Sequence, residues 1–256
     1  MDRWFLIAAT ALAAIAGVRG LLILRHGNKS HWTVWWMIAA LLCQIGYLVF
    51  RGEMRGACPL RSIGEISVYL AWSLTLFYLL VGPMYRISLL GVFTAPVVVL
   101  FQGFALLPGR LAANAERILN TNPWGETHSA MSVLAYGALA LAAVAGVMFL
   151  VLDRQLKEQH LKSGLFRNLP PVRELLVSLE RLLWIGMILL TLGLVAGLLM
   201  PHEGEGAWAH LIVAIAVWAG YLALMVVKQI RGITGRRFAL GAVALFILSL
   251  GVFAFV

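Results

Sequence analysis

Two histidines stand where imidazole chemistry would be unusual. His128 opens the apolar run in THSAMSVLAYGALALAAVAGVMFLVLD, and His210 opens the one in AWAHLIVAIAVWAGYLALMVV. An ionisable ring at membrane depth is costly, so it is a candidate functional group by default. Neutral imidazole is also the commonest protein ligand for metals, haem iron included. Two rings at similar depth on neighbouring helices could hold one cofactor between them.

The residues around each ring add to this reading. On a helix, His128, Ser132 and Tyr136 fall at i, i+4 and i+8 and share a face. His210, Ala214, Val217, Trp218 and Tyr221 share another. Each face carries a histidine near one end and aromatic surface below it. A porphyrin needs an axial nitrogen with apolar and aromatic walls, so the candidate binding set is His128, His210, Tyr136 and Trp218, with the two histidines as axial ligands. The pattern permits this pairing and does not require it. Interfacial histidines also bond to lipid headgroups, water or a neighbouring carbonyl.

Other polar residues read as structural. Glu65, in CPLRSIGEISVYLAW, sits at a helix entrance, where it can accept from backbone donors or pair with a nearby Arg. Cys58-Pro59 just before it reads as a turn, and no bridge between Cys43 and Cys58 is expected. His202 reads as a solvated loop residue; His26, His31 and His160 read as surface groups. Trp32, Trp35 and Trp36 fit an interfacial aromatic belt. No phosphate loop, nucleophile elbow or paired catalytic carboxylates occur, so the chain reads as a non-enzyme.

The elements that must position these residues follow from composition. Of 256 residues, 62% are hydrophobic and 12% are charged, against about 25% charged in soluble domains. A membrane span needs about 20 apolar residues. Eight runs qualify: 4–24, 34–50, 66–81, 87–107, 128–152, 182–200, 208–227 and 238–256. The expected fold is all-α, a polytopic transmembrane bundle of about eight spans forming one domain over 1–256. The first run is read as a retained helix, since the apolar core before Ala11-Leu12-Ala13 is short for a signal peptide. The net charge of +9 then points to topology and anionic lipid rather than nucleic acid. Counting Lys and Arg by side makes the loop 153–181 cytoplasmic and puts both termini, and both histidines, at the outer face. Within that loop Val172, Leu175, Leu176 and Leu179 have helical spacing. They suit either a short amphipathic surface helix or an extension of the sixth span. Gly193 and Gly197 in GLVAG, and the alanine stripe of span five, mark close helix packing.

Several stretches resemble the HemX/YpjD-like branch of the CcsA/CcmC cytochrome c assembly superfamily. They are CPLRSIGEISVYLAWSLTLFYLLVGPMYRISLLGVFTAPVVVL, THSAMSVLAYGALALAAVAGVMFLVLDRQLK, LPPVRELLVSLERLLWIGMILLTLGLVAG and KQIRGITGRR. The resemblance implies a bacterial inner-membrane protein that handles haem (haem b) at the outer face beside other cytochrome c assembly proteins. His128 matches the first of the superfamily's outer histidines, judged by HSAMSVLAYG. The Trp-rich WWD platform is missing: residues 197–218 read GLLMPHEGEGAWAHLIVAIAVW. His210 falls near a histidine of the HemX/YpjD branch. The implied role is haem holding without covalent attachment. The rival reading is a regulatory or scaffolding protein, as in HemX-like control of haem biosynthesis, that binds no haem; a haem exporter ranks last because the spans hold few polar groups.

Overall fold

The computed structural model describes residues 2–26, 32–81, 88–111, 122–157, 172–200 and 207–251. His31, His160, His202 and residues 158–171 of the 153–181 loop lie outside them. The described residues are all-helical: α1 (Asp2–His26), α2 (Trp32–Arg55), α3 (Ile63–Val81), α4 (Ser88–Leu106), α5 (Pro123–Lys157), α6 (Val172–Leu199), α7 (Ala207–Arg231) and α8 (Gly235–Ser249). Six of them are long and apolar enough to cross a membrane. α8 is shorter, with 15 residues, as is the apolar stretch Leu90–Leu106 of α4. The eight expected spans thus correspond to eight helices in the expected order.

The core is built on α5, whose contact with α6 is the most extensive in the bundle. The alanine stripe explains why: Ala135, Ala138, Ala142 and Ala145 are fully buried. Without long side chains, neighbouring backbones come close enough for dispersion contacts, which drive packing where lipid removes the hydrophobic incentive. Around α5 stand α3, α6 and α8, while α2 and α4 pack on α3 and α1 packs on α2 and α4. One buried cluster draws residues from all eight helices, from Ala13 to Ala242.

Residues 172–181 form the first turns of α6, one continuous helix to Leu199. They are therefore not a separate amphipathic surface helix. Leu175 and Leu179 are fully buried in the main cluster, so the periodic leucines face protein rather than a bilayer surface.

Helix termini sort by chemistry. Arg154 and Lys157 of α5, Arg173 of α6, Lys228 and Arg231 of α7, and Arg236 and Arg237 of α8 collect at one end. The opposite end holds the starts of α3, α5 and α7 and the finishes of α2, α6 and α8. There α2 stops at Arg55, followed by Gly56 at φ 67°. The Gly56 N–H returns to the Gly52 carbonyl at 2.8 Å, an αL helix stop that glycine adopts without a Cβ penalty. At the start of α5, Asn122 Oδ1 accepts from the Trp124 N–H at 3.1 Å. With Pro123 at the first helical position, that cap sets the register of His128.

Candidate functional site

His128 sits in the second turn of α5, only 9% exposed. Its Nδ1 lies 2.7 Å from the carbonyl oxygen of Gly193 on α6. A carbonyl can only accept, so Nδ1 carries the proton and donates. In the neutral ring this leaves Nε2 with its lone pair. A backbone carbonyl holding one ring nitrogen commonly fixes the tautomer and orientation of a metal-binding histidine.

The approach that makes this bond possible depends on the absence of side chains on α6. A Cβ placed on Gly197 would stand 2.6 Å from His128 Nδ1, and one on Gly193 would stand 2.7 Å from Ser132 Oγ. The GLVAG spacing expected to face another helix does so, and the partner is the His128–Ser132 edge of α5.

The His210 ring, on the first turns of α7, lies with its centroid 5.8 Å from that of His128, the planes at 81°. Its Nδ1 is buried and has no hydrogen-bond partner. α7 packs on α6 and α8, so the two histidines meet across the end of α6. No loop in the sequence required this meeting.

Tyr136 and Trp218 are tied to other helices. The Tyr136 hydroxyl donates to the Ser249 carbonyl of α8 at 3.1 Å. Its ring packs with Ile66, Leu70 and Val133. Trp218 Nε1 donates to Thr191 Oγ1 of α6 at 2.9 Å. Both brace the helices that carry the histidines.

A second polar centre lies at the same end. Glu65 is fully buried. Its Oε1 accepts from Arg51 Nε at 2.8 Å and Arg55 Nε at 2.8 Å. Its Oε2 accepts the backbone N–H groups of Arg61 and Ser62, while Ser62 Oγ accepts from the Glu65 N–H. Glu65 thus closes a capping box on α3 and neutralises two buried guanidiniums. Arg51 also reaches Asp2 of α1 at 3.0 Å. The two arginines were not singled out by the sequence reading. Their signal is periodicity: Met37, Ala40, Gln44, Tyr47, Arg51 and Arg55 form one buried stripe of α2.

Cys43 and Cys58 are free and half-buried. Burial, with Glu126 and Glu65 acting the same way, pushes the Cys58 thiol up to about 11.

The donor set can be weighed against a metal. Two imidazoles occur together, and among the described residues no group of three or more His, Cys, Asp or Glu gathers around a common point. Two imidazoles suit a metal that brings its own equatorial ligands better than a bare ion that needs about four protein donors.

These features define a polytopic helical membrane protein with a paired-histidine site at one end. Residues 62–255 match the cytochrome C assembly protein family, and the chain belongs to it. The chain is similar to proteins named cytochrome c biogenesis protein CcsA. The one from Prochlorococcus marinus strain MIT 9301 is 28% identical over 75% of this chain and 71% of its own length. That from strain MIT 9303 is 27% identical over 93% of this chain and 85% of its own. The one from Ranunculus macranthus is 34% identical, over 45% of this chain and 38% of its own.

Proposed function

We propose that this chain is a haem-binding accessory protein of cytochrome c assembly. It holds haem b between His128 and His210 and carries out no covalent chemistry of its own. The observation that carries the reading is the imidazole pair, with one ring fixed by the Gly193 carbonyl and the other left with a buried, unpartnered nitrogen. Family membership and the relatives named CcsA support the pathway.

Each residue has a task in this proposal. His128 offers Nε2, its tautomer set by the bond to Gly193. His210 would offer the second ring nitrogen to the iron. Gly197 keeps the space in which His128 lies. Tyr136 and Trp218 wall the inner side of the site, held by Ser249 and Thr191. Haem would supply a redox-active iron within a porphyrin that carries vinyl groups.

Orientation follows from charge. The end that carries Arg154, Lys157, Arg231 and Arg236 faces the cytoplasm by the positive-inside rule. The histidine end, and both termini, then face outward across a bacterial inner membrane. The segment 197–218 lacks a Trp-rich platform, which supports holding rather than attachment and agrees with the resemblance to the HemX/YpjD-like branch.

The test is an absorption spectrum of the purified protein, before and after haem addition. A Soret band with low-spin features that saturates at one haem per chain supports the reading. A chain that stays colourless and leaves added haem with the spectrum of free haem refutes it. The regulatory reading, action without haem, then takes its place.

A further inference from the structure

We propose that the basic end of the bundle carries a binding groove for the headgroup of an anionic phospholipid, between the last turns of α5 and the first turns of α8. A cavity of 360 Å³ opens there, lined by Leu150, Asp153, Arg154, Lys157, Arg236 and Leu240. It stands at the opposite end of the bundle from the histidine pair and does not depend on the haem reading.

Charge, helix ends and apolar walls agree on the occupant. The lining holds three cations against one carboxylate, and Asp153 is engaged by Lys157 at 2.9 Å. Among the described lining residues the cations outnumber the carboxylate, a balance suited to a phosphodiester. Arg236 lies in the first turn of α8, whose N-cap Thr234 makes no side-chain cap hydrogen bond. A helix start with uncapped N–H groups favours an anion. The third feature separates a lipid from a free anion. Leu150 and Leu240 line the same cavity, and Leu240 is 48% exposed on a helix of a membrane bundle. A phosphate ion has no use for that surface. A phospholipid lays the root of its acyl chains on it while the phosphate meets the arginines.

The experiment uses the full chain, purified in detergent and stripped of lipid. Thermal unfolding is followed with added phosphatidylglycerol, phosphatidylcholine or inorganic phosphate. Phosphatidylglycerol should raise the midpoint by a few degrees, because a ligand that binds only the folded state stabilises it. Phosphatidylcholine should do much less. The double variant Arg154→Gln/Arg236→Gln should lose most of the rise, while Arg61→Gln, at the other end, should keep it. Both arginines are exposed, so the variant should fold. Native mass spectrometry of Arg236→Gln alone gives a second readout, as fewer retained phosphatidylglycerol molecules than in the parent. An equal response to phosphatidylcholine, an undiminished response in the double variant, or a full response to inorganic phosphate would each overturn the proposal.

Discussion

The imidazole of His128 rests on Gly197. A single methyl group added there would stand 2.6 Å from Nδ1 and 3.0 Å from Cε1, and the first of these is closer than a stable contact allows. The ring cannot keep its place and its bond to Gly193 if Gly197 acquires a side chain.

Gly197→Ala should therefore act on the site more than on the fold. The ring must shift, and the proposed haem affinity should fall while the helices stay paired. Leu at both Gly193 and Gly197 is a different case. It forces α6 away from α5 along the Ser132 edge and should cost on the order of 1–3 kcal/mol, the usual range for overpacking. Thermal unfolding in detergent separates the two: a small change for Gly197→Ala and a clear drop for the double variant.

Glu65→Gln should be among the most damaging single changes at this end of the bundle. The substitution keeps the volume but leaves Arg51 and Arg55 buried without their shared carboxylate. Removing one partner of a buried ion pair costs about 3–5 kcal/mol. Replacing Arg55 as well should recover part of that loss, since one uncompensated cation then goes. A double-mutant cycle on unfolding midpoints measures the coupling; additive effects would show that Arg55 does not act through Glu65.

The bundle was legible in the sequence because apolar run length and helical geometry are tied by bilayer thickness. The small-residue faces were legible too, since Gly193 and Gly197 have few uses in a membrane helix other than close packing. Residues 172–181 were ambiguous: amphipathic spacing is the same whether the apolar side meets lipid or protein, and only the burial of Leu175 and Leu179 separates them. Arg51 and Arg55 lie beyond the apolar run, which ends at Phe50, so run length alone does not mark them as buried. Their buried partner lies on another helix, and no local pattern encodes it. The meeting of His128 and His210 had the same difficulty, because α6 brings them together and neither histidine segment specifies α6.

Cys58 should react slowly with maleimides at neutral pH. Its thiol is pushed up to about 11, whereas a free thiol titrates near ~8.5, and only the thiolate is nucleophilic. On a Cys43→Ser background the labelling rate should climb about tenfold per pH unit and level off well above pH 9. The same shift bears on stability. Between about 8.5 and 11 the unfolded chain has lost the proton that the folded chain still holds, so stability falls as pH rises through that window. Glu126→Gln should bring the labelling midpoint down; a midpoint near the free-thiol value in the parent protein would contradict the buried setting.

The two histidines should differ in stability and agree in function. His128 makes a hydrogen bond across helices, to Gly193. Such bonds in membrane bundles contribute about 0.6 kcal/mol on average, so His128→Ala should lower the unfolding midpoint slightly. His210 Nδ1 is buried without a partner. Removing an unpaired polar atom relieves its desolvation cost, so His210→Ala should leave the haem-free protein as stable as before, or slightly more so. If both rings are axial ligands of one haem, each replacement should nonetheless remove the low-spin Soret spectrum, because one imidazole cannot complete a six-coordinate iron. Replacing both should remove binding altogether, while Tyr136→Phe, which deletes only the bond to Ser249, should perturb the spectrum without abolishing it. A structural role alone predicts the same stability ranking, but no Soret spectrum that depends on either ring. A double variant that retains the parent spectrum would move the haem site away from this pair.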